Sequence, residues 1–244
     1  MGADFPHLYP YSRTEARRLE ELDKWETSHQ LNIDCRKAIE SAVSAGFDGE
    51  HLNENCAQGV IEQYGFLRTN YVRANTLQRL RRNEQVSSEN SQWGKRIIIP
   101  PEAARNREFA IQCHPAALNE FVTQIRQAYQ ALGLFGSEHC IGKRHSLDYT
   151  GKVLVMSPDT LRESCWSPYN QLWLAEGGFG CSPTASGRAV YATCLGDGEQ
   201  TRWDRADFIG VLDEQYLPDW AAKKLDELRG SQQKQSGPVM GGMN

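Results

Sequence analysis

Between Phe66 and Arg82 the chain carries five arginines (Arg68, Arg73, Arg79, Arg81 and Arg82) and no acidic residue. Arg68, Asn75, Arg79 and Arg82 stand at i, i+7, i+11 and i+14, with Val72 among them. On a helix that spacing makes one continuous stripe within about 60° of arc. Each guanidinium offers a planar fork of donors suited to a phosphate or carboxylate. An exposed stripe would therefore engage an anionic surface of a partner, and Arg68, Asn75, Arg79 and Arg82 are the expected contact residues. The commoner fate of such a row is a solvated face, or ion pairs with Glu15, Glu20, Glu21 and Asp23 upstream.

The remaining chemistry-bearing residues are less telling. Gly142-Lys143 invites a phosphate-loop reading. Yet Gly136 and Gly142 leave five residues between them instead of four, and Arg144 replaces the hydroxyl. Gly177, Gly178 and Gly180 lie between expected strands with no helix to follow, so they suit a tight hairpin better than a dinucleotide site. Cys113-His114, His139-Cys140 and His145 could be assembled into a zinc site, but adjacent pairs cannot easily both face one ion. No metal and no cofactor are expected. Cys165 and Cys181 lie near turns without a histidine in their module, so a structural thiol is favoured over a nucleophile. Asp204 and Asp207 alternate with Arg205 as the charged outer face of a strand would. Trp166, Tyr169, Trp173, Phe179, Tyr191, Trp203 and Phe208 should supply a small core, with Trp173 and Trp203 also candidates for a partner-facing patch. No catalytic residue is expected.

These residues need elements to position them. Residues 12–45 read as helix, begun by a Ser12–Glu15 capping box and ended at Gly46. Leu19, Leu22 and Trp25 face one way, whereas Leu31, Cys35, Ala38, Ile39 and Ala42 face another. A break or bend near Thr27–Gln30 is therefore expected. After the Asp48-Gly49 turn, Asn53 should cap a helix over 54–64 closed by Gly65. A third helix over 66–82 turns Leu67, Tyr71, Ala74 and Leu77 to a core. The polar stretch 83–96 reads as linker, and 115–132 as a helix started by Pro115. From about 150 the texture is β: Lys152–Met156, Gln171–Ala175, Arg188–Leu195 and Arg202–Val211, then a helix from Leu217 to about Leu228. The fold class is α+β: a helical N-terminal module (1–132), a connector (133–149), and a small antiparallel β-sheet module with a closing C-terminal helix (150–229). A Gly-, Ser- and Gln-rich tail, expected to be disordered, occupies 230–244.

The chain has 244 residues, 27 basic and 31 acidic, for a formal net charge of −4. That excludes a uniformly basic nucleic-acid coat and is too mild for an acidic DNA mimic. Its longest aliphatic run is Ile97-Ile98-Ile99, too short to span a bilayer. The start MGADFPHLYP shows no signal peptide, and Pro6 spoils a myristoylation pattern. Seven widely spaced cysteines without a C-x-x-C pair suit reduced thiols. A cytoplasmic protein is expected.

Several segments form a recognisable series. Tyr9 to Ser12, Asn32 to Glu40, Gly46 to Gly49 with Leu52-Asn53, and Arg68 with Tyr71-Val72 and Ala74-Asn75-Thr76 resemble an uncharacterised domain of Firmicutes conjugative elements, plasmids and phages. Ser164 to Trp173, Gly177 to Pro183, Gly187 to Tyr191, Ile209 to Val211 and Leu217 to Ala221 resemble a second module of the same elements. Such modules occur in polyvalent anti-defence proteins. The resemblance implies a non-enzymatic mobile-element protein that binds and inhibits a host defence nuclease, or its guide-RNA complex, in anti-restriction or anti-CRISPR fashion. The alternative is a nucleic-acid-binding accessory factor of element transfer or replication, contacting nucleic acid through the arginine stripe. No membrane partner is implied.

Overall fold

A computed structural model describes residues 7–80, 82–105, 109–142 and 146–235. The chain divides into two compact units, Met1–Ala131 and Leu132–Asn244, and its class is α+β.

In the helical unit, Ser12 caps α1 (Arg13–Arg18) by accepting from Glu15 N at 3.1 Å. The capping box is half built, because the Glu15 carboxylate turns instead to Arg18. The break falls at Leu19–Glu21, where Glu20 takes φ 60°, and not at Thr27–Gln30. α2 (Leu22–Gly46) is one unbroken helix across Thr27–Gln30. Its buried positions, Ser28, Asn32, Cys35, Ile39 and Val43, follow helical spacing, so the apolar face continues upstream through two polar residues.

α3 (Cys56–Leu80) begins two residues later than expected, its Ala57 N–H capped by Gln124 Oε1 at 3.0 Å. It breaks at Gly65, whose φ of 79° and ψ of 165° are outside helical space and favour glycine. Beyond Gly65 every residue from Arg68 to Leu77 is buried, because α3 packs against α2, α4 (Ser88–Lys95) and α6 (Pro115–Ala131). Leu67, expected to face the core, is exposed. The expected linker 83–96 contains α4, capped by Ser87 Oγ accepting from Asn90 N. α4 escapes a search for apolar periodicity because one of its buried anchors is Asn90, which donates to Asn119 O and Thr123 Oγ1 at 2.9 Å. A short α5 (Pro101–Arg105) follows. Leu118, Phe121, Val122 and Ile125 of α6 join Ile39, Val60, Val72 and Leu77 in the core.

The second unit is a six-stranded antiparallel sheet of order β1-β6-β2-β3-β4-β5, with strands Cys140–Ile141, Val153–Met156, Leu172–Gly177, Ala189–Cys194, Gln200–Asp204 and Phe208–Leu212 numbered in chain order. The expected connector thus supplies β1. Arg202–Val211 is not one strand: a 3-10 turn, Arg205–Asp207, divides it into β5 and β6. Asp204 and Asp207 cap that turn reciprocally, Asp204 Oδ1 accepting from Ala206 N and Asp207 Oδ2 from Asp204 N, so they are not a strand's outer face. β5 and β6 sit four positions apart in the sheet order, about 19 Å if it were flat. The four residue steps from Asp204 to Phe208 reach about 14 Å at most. The sheet must therefore curl.

Both faces of the sheet are covered, which explains the continuous apolar runs of β2 and β3. Leu154, Met156, Trp173, Val190 and Phe208 pack with Tyr149 on one side. On the other, Val153, Val155, Leu172, Leu174 and Leu212 pack with Ala221 and Leu225 of α8 (Asp219–Gln235). Before β3 a single turn, α7 (Pro168–Gln171), takes Gln171 out of the expected strand. α8 runs past Leu228 into the expected tail; residues 236–244 of that tail lie outside the described residues.

Candidate functional site

The arginine stripe is not one surface. Arg68 and Asn75 are each 2% exposed, and Val72 is fully buried. Arg79 and Arg82 are exposed, and Arg81 lies outside the described residues. Arg68 Nη1 donates to Ser28 O at 2.9 Å and to Asn32 Oδ1, while Nη2 donates to His7 O at 3.1 Å. Asn75 Nδ2 donates to Ala103 O at 2.9 Å, Thr76 Oγ1 accepts from Ile111 N at 2.9 Å, and Gln78 Nε2 donates to Gly94 O and Ile97 O. The polar face of α3 is an internal clamp that fastens the connecting segments. Spacing alone does not tell a solvated face from one packed on all sides.

What Arg68 and Asn75 hold in place is a cavity of about 320 Å³ in the helical unit. Its walls come from four parts of the chain: Tyr9 and Tyr11 before α1, Trp25, Ser28, His29 and Asn32 on α2, Tyr71 on α3, and Pro100, Glu102, Ala103 and Phe109. Trp25 and His29, one turn apart, stack at 4.4 Å with their planes 20° apart. The Phe109 ring meets His29 edge-on at 4.9 Å and Tyr71 at 6.2 Å. At the mouth the Arg13 guanidinium lies 5.4 Å from the centre of the Trp25 ring, with Glu26 at 3.9 Å. Tyr9 donates its hydroxyl to Glu21 Oε2 at 2.9 Å; burial and that bond push its pKa up to about 12. Tyr71 is only 6% exposed, and burial alone lifts its pKa to about 12. Its hydroxyl has no hydrogen-bond partner among the described residues.

Trp25, Ser28, His29 and Asn32 share one face at i, i+3, i+4 and i+7, a signal available in the sequence once polar residues are admitted to a buried face. Phe109 lies outside regular helix and could not have been found that way.

In the sheet unit Trp173 is a core residue, so its expected role at a partner surface is corrected. It meets the half-buried Trp203 edge-on at 5.3 Å. The exposed aromatics are others. Phe179 is 77% exposed and Tyr191 53%. Phe179 rides a loop held by backbone bonds from Cys181 N to Gly178 O at 3.0 Å and from Tyr149 N to Cys181 O at 3.0 Å. Arg205, stacked 3.8 Å over Tyr149, donates to the Gly180, Cys181 and Leu147 carbonyls. A Cβ at Gly180 would collide with Arg188 O, so the close approach of the two segments requires glycine there. Tyr191 lies opposite Arg202 in the β4–β5 register.

Among the described residues no three of His, Cys, Asp and Glu converge as a metal-holding group. His114 stacks on Phe47 and His139 Nδ1 accepts from Gly136 N at 2.9 Å, while Lys143, Arg144 and His145 lie outside the described residues. All seven cysteines are free thiols. No described helix is long and apolar enough to cross a membrane.

No curated protein and no solved structure matches the chain. A family model described as protein of unknown function (DUF3849) matches residues 8–130, which is half of the chain and spans the helical unit with its cavity. The chain thus belongs to the DUF3849 family through its helical unit, while the curled sheet lies outside the match.

Proposed function

We propose that this is a non-enzymatic protein of mobile genetic elements that binds a host defence nuclease in the cytoplasm and inhibits it by occlusion, in anti-restriction or anti-CRISPR fashion. The observation that supports this reading is Phe179. A large apolar ring costs free energy in water, yet here the surrounding loop is clamped by Arg205 and by backbone bonds so that the ring projects outward. Interfaces of high affinity use such pre-ordered aromatic anchors, with Arg as a frequent companion. Tyr191 and Arg202 provide the neighbouring ring and charge.

The test is protection of incoming DNA in cells carrying a restriction or CRISPR system. Phe179→Ala should weaken inhibition by roughly thirtyfold, the equivalent of about 2 kcal/mol at an interface anchor. Full protection by a folded Phe179→Ala, Tyr191→Ala double variant would count against the interface. Absence of protection by the wild-type protein against every system of the host would sink the reading itself. The nucleic-acid alternative keeps one supporting observation, the exposed Arg79 in the last turn of α3 and the exposed Arg82 beyond it. It predicts binding to short DNA or RNA that falls steeply with salt.

A further inference from the structure

We infer that the cavity of the helical unit is a binding site for an uncharged, planar heteroaromatic ring of nucleobase size. This inference stands apart from the nuclease reading and needs no defence target. Its volume of about 320 Å³ is at the lower end of small-molecule sites, enough for one ring system and little more. The apolar walls are ring faces and edges, from Trp25, His29, Tyr71 and Phe109, which favour a flat guest held by stacked or edge-on contacts.

The polar groups narrow the guest further. Asn32 is 5% exposed and its Oδ1 is taken by Arg68, so the amide nitrogen is what it offers to the cavity it lines. Tyr71, 6% exposed, also lines the cavity, and its hydroxyl makes no hydrogen bond among the described residues. Both can donate. A hydrocarbon ring would bury them unsatisfied, whereas a ring with carbonyl or aza acceptors on its edge would satisfy them, and sites built this way reject analogues that lack the acceptors. The Arg68 guanidinium behind the wall, bonded to the neutral acceptors Ser28, Asn32 and His7, disfavours a cationic guest in the interior; at the mouth Arg13 is offset by Glu26, and Glu102 accepts from the Thr14 hydroxyl.

Calorimetric titration of the full chain with adenosine, guanosine, cytidine and uridine tests the assignment, with N-acetyl-tryptophanamide as the probe for a protein side chain. At least one nucleoside should bind one to one. Tyr71→Phe keeps the ring and removes only the hydroxyl, and should weaken that binding at least tenfold with an unchanged melting temperature. Ala103→Phe, which adds bulk at another lining position, should abolish binding; Trp25→Phe alters the wall without touching either donor and should weaken binding less than Tyr71→Phe does. Four nucleosides that fail to bind at millimolar concentration would overturn the inference. So would tighter binding of the indole amide, or nucleoside binding that Tyr71→Phe and Ala103→Phe both leave intact.

Discussion

Arg68 and Arg79 stand three helical turns apart on α3, and the structure gives them opposite physical situations. Arg68 is sealed between α3 and α2, with Ser28, Asn32 and His7 arranged as acceptors around it. Truncation would orphan those acceptors and open a void, so Arg68→Ala should cost about 3–5 kcal/mol in a denaturant titration. Arg79→Ala and Arg82→Ala, at exposed positions, should stay within about 0.5 kcal/mol of wild type. Equal effects at all three sites would contradict the buried clamp. The sequence could not separate these residues, because identical side chains at helical spacing look alike until the packing of α2 and α4 is known. The cysteines divide in the same way. Cys165 is exposed, whereas Cys35 is fully buried and its thiol is pushed up to about 12 by loss of solvent. Cys181 is also buried, with Sγ–H donated to Gly177 O at 3.1 Å. In the native protein an alkylating reagent should therefore modify Cys165 first and spare Cys35 and Cys181; mass spectrometry of partly modified protein reads this directly.

At the scale of elements, what was legible is what water and hydrocarbon dictate. The apolar period of 115–132, the glycine stop at Gly65 and the doubly buried runs of β2 and β3 could all be read in advance. Elements whose inward positions are polar could not. α4 is anchored in part by Asn90, the upper half of α2 by Ser28 and Asn32, and the β5–β6 corner by two aspartates that cap a turn. The cavity lies where α2 turns polar, so apolar periodicity does not reveal it. α4 owes its start to the Ser87 cap, so Ser87→Ala should cost about 1 kcal/mol. The Phe179 loop is more demanding. Gly180→Ala places a methyl group against the Arg188 carbonyl, and one segment must move, at about 1–3 kcal/mol. Phe179→Ser on the same loop removes an exposed ring and should be neutral or slightly stabilising in thermal melts, however strongly it affects a partner. Loss of stability at Phe179 comparable to that at Gly180 would show the ring to be a packing residue.

Across the whole molecule, the buried weak acids set the response to pH. Burial raises the thiols of Cys113 and Cys140 to about 11, with Glu40 and Glu138 adding to the effect, and lifts Cys35 and the Tyr71 phenol to about 12. In the unfolded chain cysteine loses its proton near 8.5. Between about pH 8.5 and 11 the native state therefore holds thiol protons that the unfolded state has released, and stability must fall as pH rises through that window. Arg73 is fully buried between Asn70 and the Trp93 ring, 4.3 Å away, with Nη1 and Nη2 unpartnered. Burial pulls its pKa downward, but a guanidinium stays protonated across this window, so Arg73 carries its burial cost at every pH and does not oppose the alkaline decline. The melting temperature, measured with a reductant present, should be nearly flat from pH 7 to 8.5 and then decline. Arg73→Met removes that buried charge. It should raise stability at neutral pH, because a buried cation is replaced by an apolar chain of similar length, and it should leave the alkaline decline unchanged. A variant that is less stable than wild type at pH 7 would show that the Trp93 contact and the Asn70 bond outweigh the cost of burying the charge.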